Sequence, residues 1–174
     1  MLSPIVLPFD MDKLKIITQV KLIPEGRVNP TPFDTYFDTG STDTVMSTHL
    51  FEGLGFKEQG RLKVSIAGIN GKSEGFSTII DNFIIGNTDL GKTRVTVSEV
   101  SSEFKNIIIL GMNVLVWFNM LVSHAKKEIT LAERQIKGLD KSNRFYRTDI
   151  FSRNVLAGIA EHEEGMRLWL ERTK

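Results

Sequence analysis

The chain contains no cysteine. That excludes a disulfide framework, a thiolate nucleophile, and zinc or iron–sulfur sites built on thiolates. Net charge is nearly absent too: 22 Lys and Arg stand against 21 Asp and Glu, a formal +1. No global field draws the chain to nucleic acid or to an anionic membrane, and neither is expected as a partner. Long apolar runs are also missing. The longest, residues 107–122, is broken by Gly111, Asn113 and Asn119 and is shorter than the roughly 20 residues a membrane helix needs. Residues 1–10 lack the basic start of a signal peptide. The expectation is a soluble, cytoplasmic protein. His49, His124 and His162 are scattered without metal-ligand spacing, so no metal and no cofactor are expected.

What is present reads mostly as strand, in a chain of 174 residues with 14 glycines and 5 prolines as punctuation. That length suits one well-buried domain. Lys13 to Ile23 is rich in β-branched residues and stops at Pro24. Phe33 to Phe37 forms the next strand and runs into Asp38-Thr39-Gly40-Ser41. Val45-Met46-Ser47 precedes a helical turn or two, capped by Ser47 or Thr48 and ended by Gly53 and Gly55. Arg61 to Ala67 alternates, with Leu62, Val64 and Ile66 on one face; Gly68-Ile69-Asn70-Gly71 turns it, and Ser73 to Ile80 returns. Further strands are expected at Asn82–Ile85, Arg94–Val100 and Glu128–Leu131. Ile107–Leu110 is uniformly apolar, as a strand buried on both faces is, and Met112–Phe118 reads as a short helix.

Beyond Ala132 the chain becomes polar, and Asp149–Arg172 then places Val155, Leu156, Ile159, Ala160, Met166, Trp169 and Leu170 at helical spacing. The division expected is an N-terminal arm at 1–12, one domain at 13–132, and a linker with an amphipathic helical extension at 133–174. That extension suits a helix packed on its own core, a dimer-reinforcing element, a partner-binding arm, or a segment removed by self-cleavage.

Asp38-Thr39-Gly40 carries the chemistry. Alone, the tripeptide reads as an Asx turn at a strand end. In its context the chain resembles the retropepsins, the retroviral-type aspartic proteases, across about Lys13 to Leu131. Phe37-Asp38-Thr39-Gly40-Ser41-Thr42 is similar to their active-site loop, and Gly68-Ile69-Asn70-Gly71 stands where they carry the flap. Ile108-Ile109-Leu110-Gly111-Met112-Asn113 resembles the hydrophobic segment and short helix that support the loop, and Lys127–Leu131 resembles the closing strand. Asn113 stands where many cellular relatives have Asp. The resemblance implies an all-β, single-domain closed barrel with a flap hairpin and a short helix. It also implies an endopeptidase acting on extended polypeptide, with Thr39 bonding across to a partner subunit.

The residues support that chemistry independently. Amide hydrolysis by carboxylates needs a base to activate water and an acid to protonate the leaving nitrogen. Two aspartates about 3 Å apart share one proton and provide both. Asp38 is one of them; Gly40 allows close approach of backbone, and Ser41 can donate a hydrogen bond to Asp38. The chain holds a single Asp-Thr-Gly, so the second carboxylate must come from another copy, which requires a two-fold homodimer. Gly68, Ile69, Asn70 and Gly71 form the candidate flap, with Ile69 covering the substrate.

Two other matches lead elsewhere. Gly71-Lys72-Ser73-Glu74-Gly75 fits the Gly-x-Ser-x-Gly pattern, but a strand-like run follows where a nucleophile elbow needs a helix. The same Gly-Lys-Ser lacks the first glycine of a phosphate loop, since position 66 is Ile. A retropepsin-like module that grips peptides without cleaving them is the competing function.

Overall fold

The structure, a computed structural model, describes residues 3–12, 15–56, 62–68 and 71–134. In chain order the strands are β1 (Ile5–Pro8), β2 (Asp10–Asp12), β3 (Lys15–Leu22), β4 (Thr31–Phe37) and β5 (Val45–Ser47). Helix α1 (Thr48–Gly53) follows, then β6 (Leu62–Gly68), β7 (Gly71–Ile80), β8 (Phe83–Ile85), β9 (Thr88–Asp89) and β10 (Thr93–Ser98). After a 3-10 turn at Ser102–Phe104 come β11 (Ile108–Leu110), helix α2 (Met112–Leu115), β12 (Phe118–Ser123) and β13 (Glu128–Glu133).

These strands form two sheets. The larger runs β6-β7-β10-β5-β11-β4-β3-β8-β9, with β2 alongside β3; the smaller is β1-β13-β12. Most neighbours are antiparallel, but β4 with β11 and β5 with β10 are parallel. One core lies between the elements, with Val20, Leu22, Met46, Phe83, Ile85, Val95, Val97, Ile108, Leu110, Leu115, Ile129 and Leu131 all buried. Burial of each such side chain stabilises the fold by roughly 1.5–3 kcal/mol. The expectation of an all-β domain is met.

One element differs from the sequence reading. Helix α2 ends at Leu115, and Phe118 opens β12 instead of closing the helix, because its ring is buried and its backbone pairs with Glu133 of β13. Within residues 1–12, expected as an N-terminal arm, β1 pairs with β13, and Ile5, Leu7 and Phe9 are buried in the common core. Of the two caps expected for α1, Ser47 is the one used: its Oγ accepts from the Leu50 amide at 2.9 Å. Ile69, Asn70 and the expected helix at Asp149–Arg172 lie outside the described residues. No helix among the described residues is long and apolar enough to cross a membrane.

Candidate active site

Strand β4 delivers Asp38. Its last residue, Phe37, pairs in parallel with Leu110 of β11, and the Asp38 amide donates to the Leu110 carbonyl at 3.1 Å. The chain then leaves the sheet, because the Gly40 amide donates to Asp38 Oδ1 at 2.9 Å and the Ser41 amide to the Asp38 carbonyl at 3.2 Å. A Cβ on Gly40 would stand 3.2 Å from that same Oδ1, so glycine lets the turn close without pushing the carboxylate aside. Asp38, Thr39 and Gly40 are all exposed.

A second segment braces the loop from behind. The Met112 amide donates to the Ser41 carbonyl at 2.8 Å, and the Asn113 amide to the Thr42 carbonyl at 3.0 Å. Thus the first turn of α2, whose amides have no partner within the helix, finds acceptors in the loop. Asn113 is fully buried. Its Oδ1 accepts from the Thr44 amide at 2.7 Å and the Thr44 hydroxyl at 2.8 Å, and its Nδ2 donates to the Arg94 carbonyl at 2.8 Å. Gly111 donates its amide to Thr44 Oγ1 at 3.2 Å. It must be glycine on steric grounds, since a Cβ there would overlap the backbone carbonyl of Asp43.

Ser41 departs from its expected role. Its hydroxyl has one proton, and that proton goes to the Asp43 carbonyl at 2.7 Å, not to Asp38. It still supports the loop, by fixing the turn that follows the carboxylate. Beyond it, Asp43 Oδ1 meets the Arg94 guanidinium of β10 at 2.7 Å.

The hairpin β6–β7 carries the candidate flap. Gly68 pairs with Gly71 across the two-residue connection at positions 69–70. The inner part of β7, Gly75–Ile80, also pairs with β10, whereas Gly71–Glu74 pairs with β6 alone among the described residues. The outer half is therefore a two-stranded arm standing off the sheet. Ser73 lies within β7, so no strand-to-helix elbow presents it.

Two grooves, of about 430 and 1210 Å³, are found elsewhere: one between the β3–β4 turn and α1, the other between β1 and β3. Asp38 lines neither. Among the described residues no group of three His, Asp or Glu side chains is placed to hold a metal ion.

A loop with this brace is matched by a known family. The model for gag-polyprotein putative aspartyl proteases matches residues 25–116, more than half of the chain, and covers both the Asp38 loop and its Gly111–Asn113 support. This chain belongs to that family. Its fold is retropepsin-like. A retropepsin-like aspartic protease from Rickettsia conorii superposes with a TM-score of 0.54 at 18% identity, over 74% of this chain and 89% of that one. The EIAV protease complexed with the inhibitor HBY-793 aligns at 25% identity over 62% of this chain and 92% of that one, with a TM-score of 0.47. A comparison with curated protein sequences gives no match.

Sequence reasoning placed Asp38, Thr39, Gly40 and Ser41 together, and the structure brings them into one loop. It missed the inner ring of Asp43, Thr44, Arg94 and the amide of Asn113. One signal for that ring was visible: an amide inside an apolar run needs buried partners.

Proposed function

We propose that this retropepsin-like chain is an aspartic endopeptidase that acts as a homodimer, with Asp38 from each protomer flanking one water. The observation that carries the reading is the Asp38 loop itself. It is rigidly braced from behind by β11 and α2, yet its carboxylate, Thr39 and Gly40 face solvent. A carboxylate held this firmly but left uncovered suits a site completed by a second copy.

In the proposed cycle one Asp38 removes a proton from the shared water as the oxygen attacks the scissile carbonyl. The other, protonated, gives its proton to the carbonyl oxygen, and the leaving nitrogen is then protonated from the pair. Thr39 bonds across to the partner, and the β6–β7 arm closes on an extended peptide through backbone hydrogen bonds.

Strand β12 supports a docking edge for the second copy. Met120, Leu121 and Val122 are 39%, 68% and 37% exposed, and among the described residues the strand pairs with β13 alone. Met120 and Val122 on one face and Leu121 on the other are exposed apolar side chains, which a strand added beside β12 would partly cover. Monomeric proteins blunt such edges with charge or proline. Residues 118–123 have neither, whereas β1 at the opposite edge follows Pro4 and ends on Pro8. Antiparallel pairing about a two-fold at Leu121 sets Leu121 opposite its own copy and Met120 opposite the partner's Val122.

The test is cleavage of an unbiased peptide library from acidic to neutral pH, wild type against Asp38→Asn. Cleavage lost in the variant supports the proposal. Equal cleavage by both removes Asp38 from the mechanism. No cleavage by a folded, dimeric wild type turns the reading to a peptide-binding module.

A further inference from the structure

The Asp38 loop is held at one further point that lies far away in sequence. Arg94 sits on β10, 51 residues beyond Asp43, and its Nη2 meets Asp43 Oδ1 at 2.7 Å, with side chains 16% and 32% exposed. An ion pair this sheltered is screened less than a surface pair, and its position is informative. Asp43 uses its backbone carbonyl to accept the Ser41 hydroxyl, packs that same carbonyl against Gly111, and uses its side chain to bind Arg94. Arg94 in turn accepts from Asn113 through its own carbonyl. The two residues therefore join the three segments around the site: the loop, the α2 turn, and the strand β10, which also carries the flap hairpin through β7. The Arg94 Nε is buried without a hydrogen-bond partner among the described residues.

We infer that the Asp43–Arg94 pair is a latch that sets the position of the Asp38 loop, which makes Arg94 and Asp43 positioning residues. The inference rests on the aspartic-protease reading for its effect on turnover, though not for its effect on the loop. With the latch open, Asp43 is free to turn toward solvent, and the Ser41–Asp43 turn loses its anchor. Asp38 then spends less time in the geometry that two carboxylates need around one water. Errors of about 1 Å in such a site cost on the order of a hundredfold in rate. Because Arg94 bonds through one nitrogen alone, a point cation can replace it in this contact, which is unusual for an arginine.

Three variants of the full chain test this: Arg94→Met, which keeps the stem and removes the charge; Arg94→Lys, which keeps the charge; and Asp43→Asn, which keeps the shape. The first readout is amide hydrogen exchange at Gly40, Ser41, Met112 and Asn113, with the β3–β4 amides as reference. Arg94→Met and Asp43→Asn are expected to raise exchange at these four sites tenfold or more while leaving the reference unchanged, and Arg94→Lys to restore protection. The second readout is peptide cleavage per folded dimer: kcat falls at least tenfold in Arg94→Met and Asp43→Asn, KM changes less than about twofold, and the double variant is no worse than either single one. Unchanged protection at the four amides overturns the latch, and so does additive loss in the double variant. If the wild type cleaves nothing, the protease reading fails, and the exchange measurement still decides the latch.

Discussion

Replacing Asn113 with alanine isolates the brace behind the Asp38 loop. The substitution removes one acceptor and one donor from a fully buried position. It leaves the Thr44 amide without the partner now at 2.7 Å and the Arg94 carbonyl without the one at 2.8 Å, and the Thr44 hydroxyl loses its acceptor. A buried polar group left unsatisfied costs about 1–3 kcal/mol. Thr44 is itself fully buried, so water cannot substitute without entering the core. With two backbone groups orphaned and a small cavity left behind, the expected loss is about 3–5 kcal/mol. This is a large share of the roughly 5–15 kcal/mol that holds a typical domain together. Urea unfolding followed by tryptophan fluorescence measures it, with Trp117 four residues away in the sequence as a reporter. Asn113→Asp keeps the acceptor for Thr44 but sets a second oxygen against the Arg94 carbonyl, with a buried charge unless it takes a proton, so it too should destabilise the fold. A loss below about 1 kcal/mol for the alanine variant would refute the reasoning, because the three bonds would then be replaceable.

Two further outcomes follow from the same geometry. Gly111→Ala places a Cβ into the Asp43 carbonyl, so it should cost at least about 2 kcal/mol of stability and shift the loop; a thermal melt indistinguishable from wild type would contradict the close approach. Leu121→Lys sets two like charges opposite each other in the proposed β12 pairing, and should weaken the dimer at least tenfold, about 1.4 kcal/mol. Sedimentation at several concentrations reads this directly, and an unchanged dimer would place the interface elsewhere.

What the sequence made legible was whatever repeats locally. Leu62, Val64 and Ile66 alternate, and a hairpin stands there. The uniform run Ile108–Leu110 became a central strand between β4 and β5 because both of its faces are covered. Strand β12 stayed hidden because Phe118–Val122 continues an apolar run that begins as a strand and passes through a helix, so no single period marks it. Strand β1 stayed hidden because it is only four residues long, with Pro4 before it and Pro8 at its end, although proline is tolerated at a sheet edge. Asp38 could be found from its neighbours in the chain. Arg94 could not, since nothing near position 94 announces a partner 51 residues earlier. The acceptor of the Ser41 hydroxyl was hidden for a related reason: only the folded turn brings the Asp43 carbonyl to it.

The bonds that join the Asp38 loop to Gly111 and Asn113 span 67 and 69 positions of the chain. During synthesis at about 5–20 residues per second, roughly 3–14 seconds pass between the appearance of the loop and that of its brace. Throughout that interval the aspartate exists but the scaffold that aims it does not. A nascent or truncated chain ending before Gly111 thus carries an unbraced carboxylate, and the competence of the site is tied to completion of nearly the whole fold.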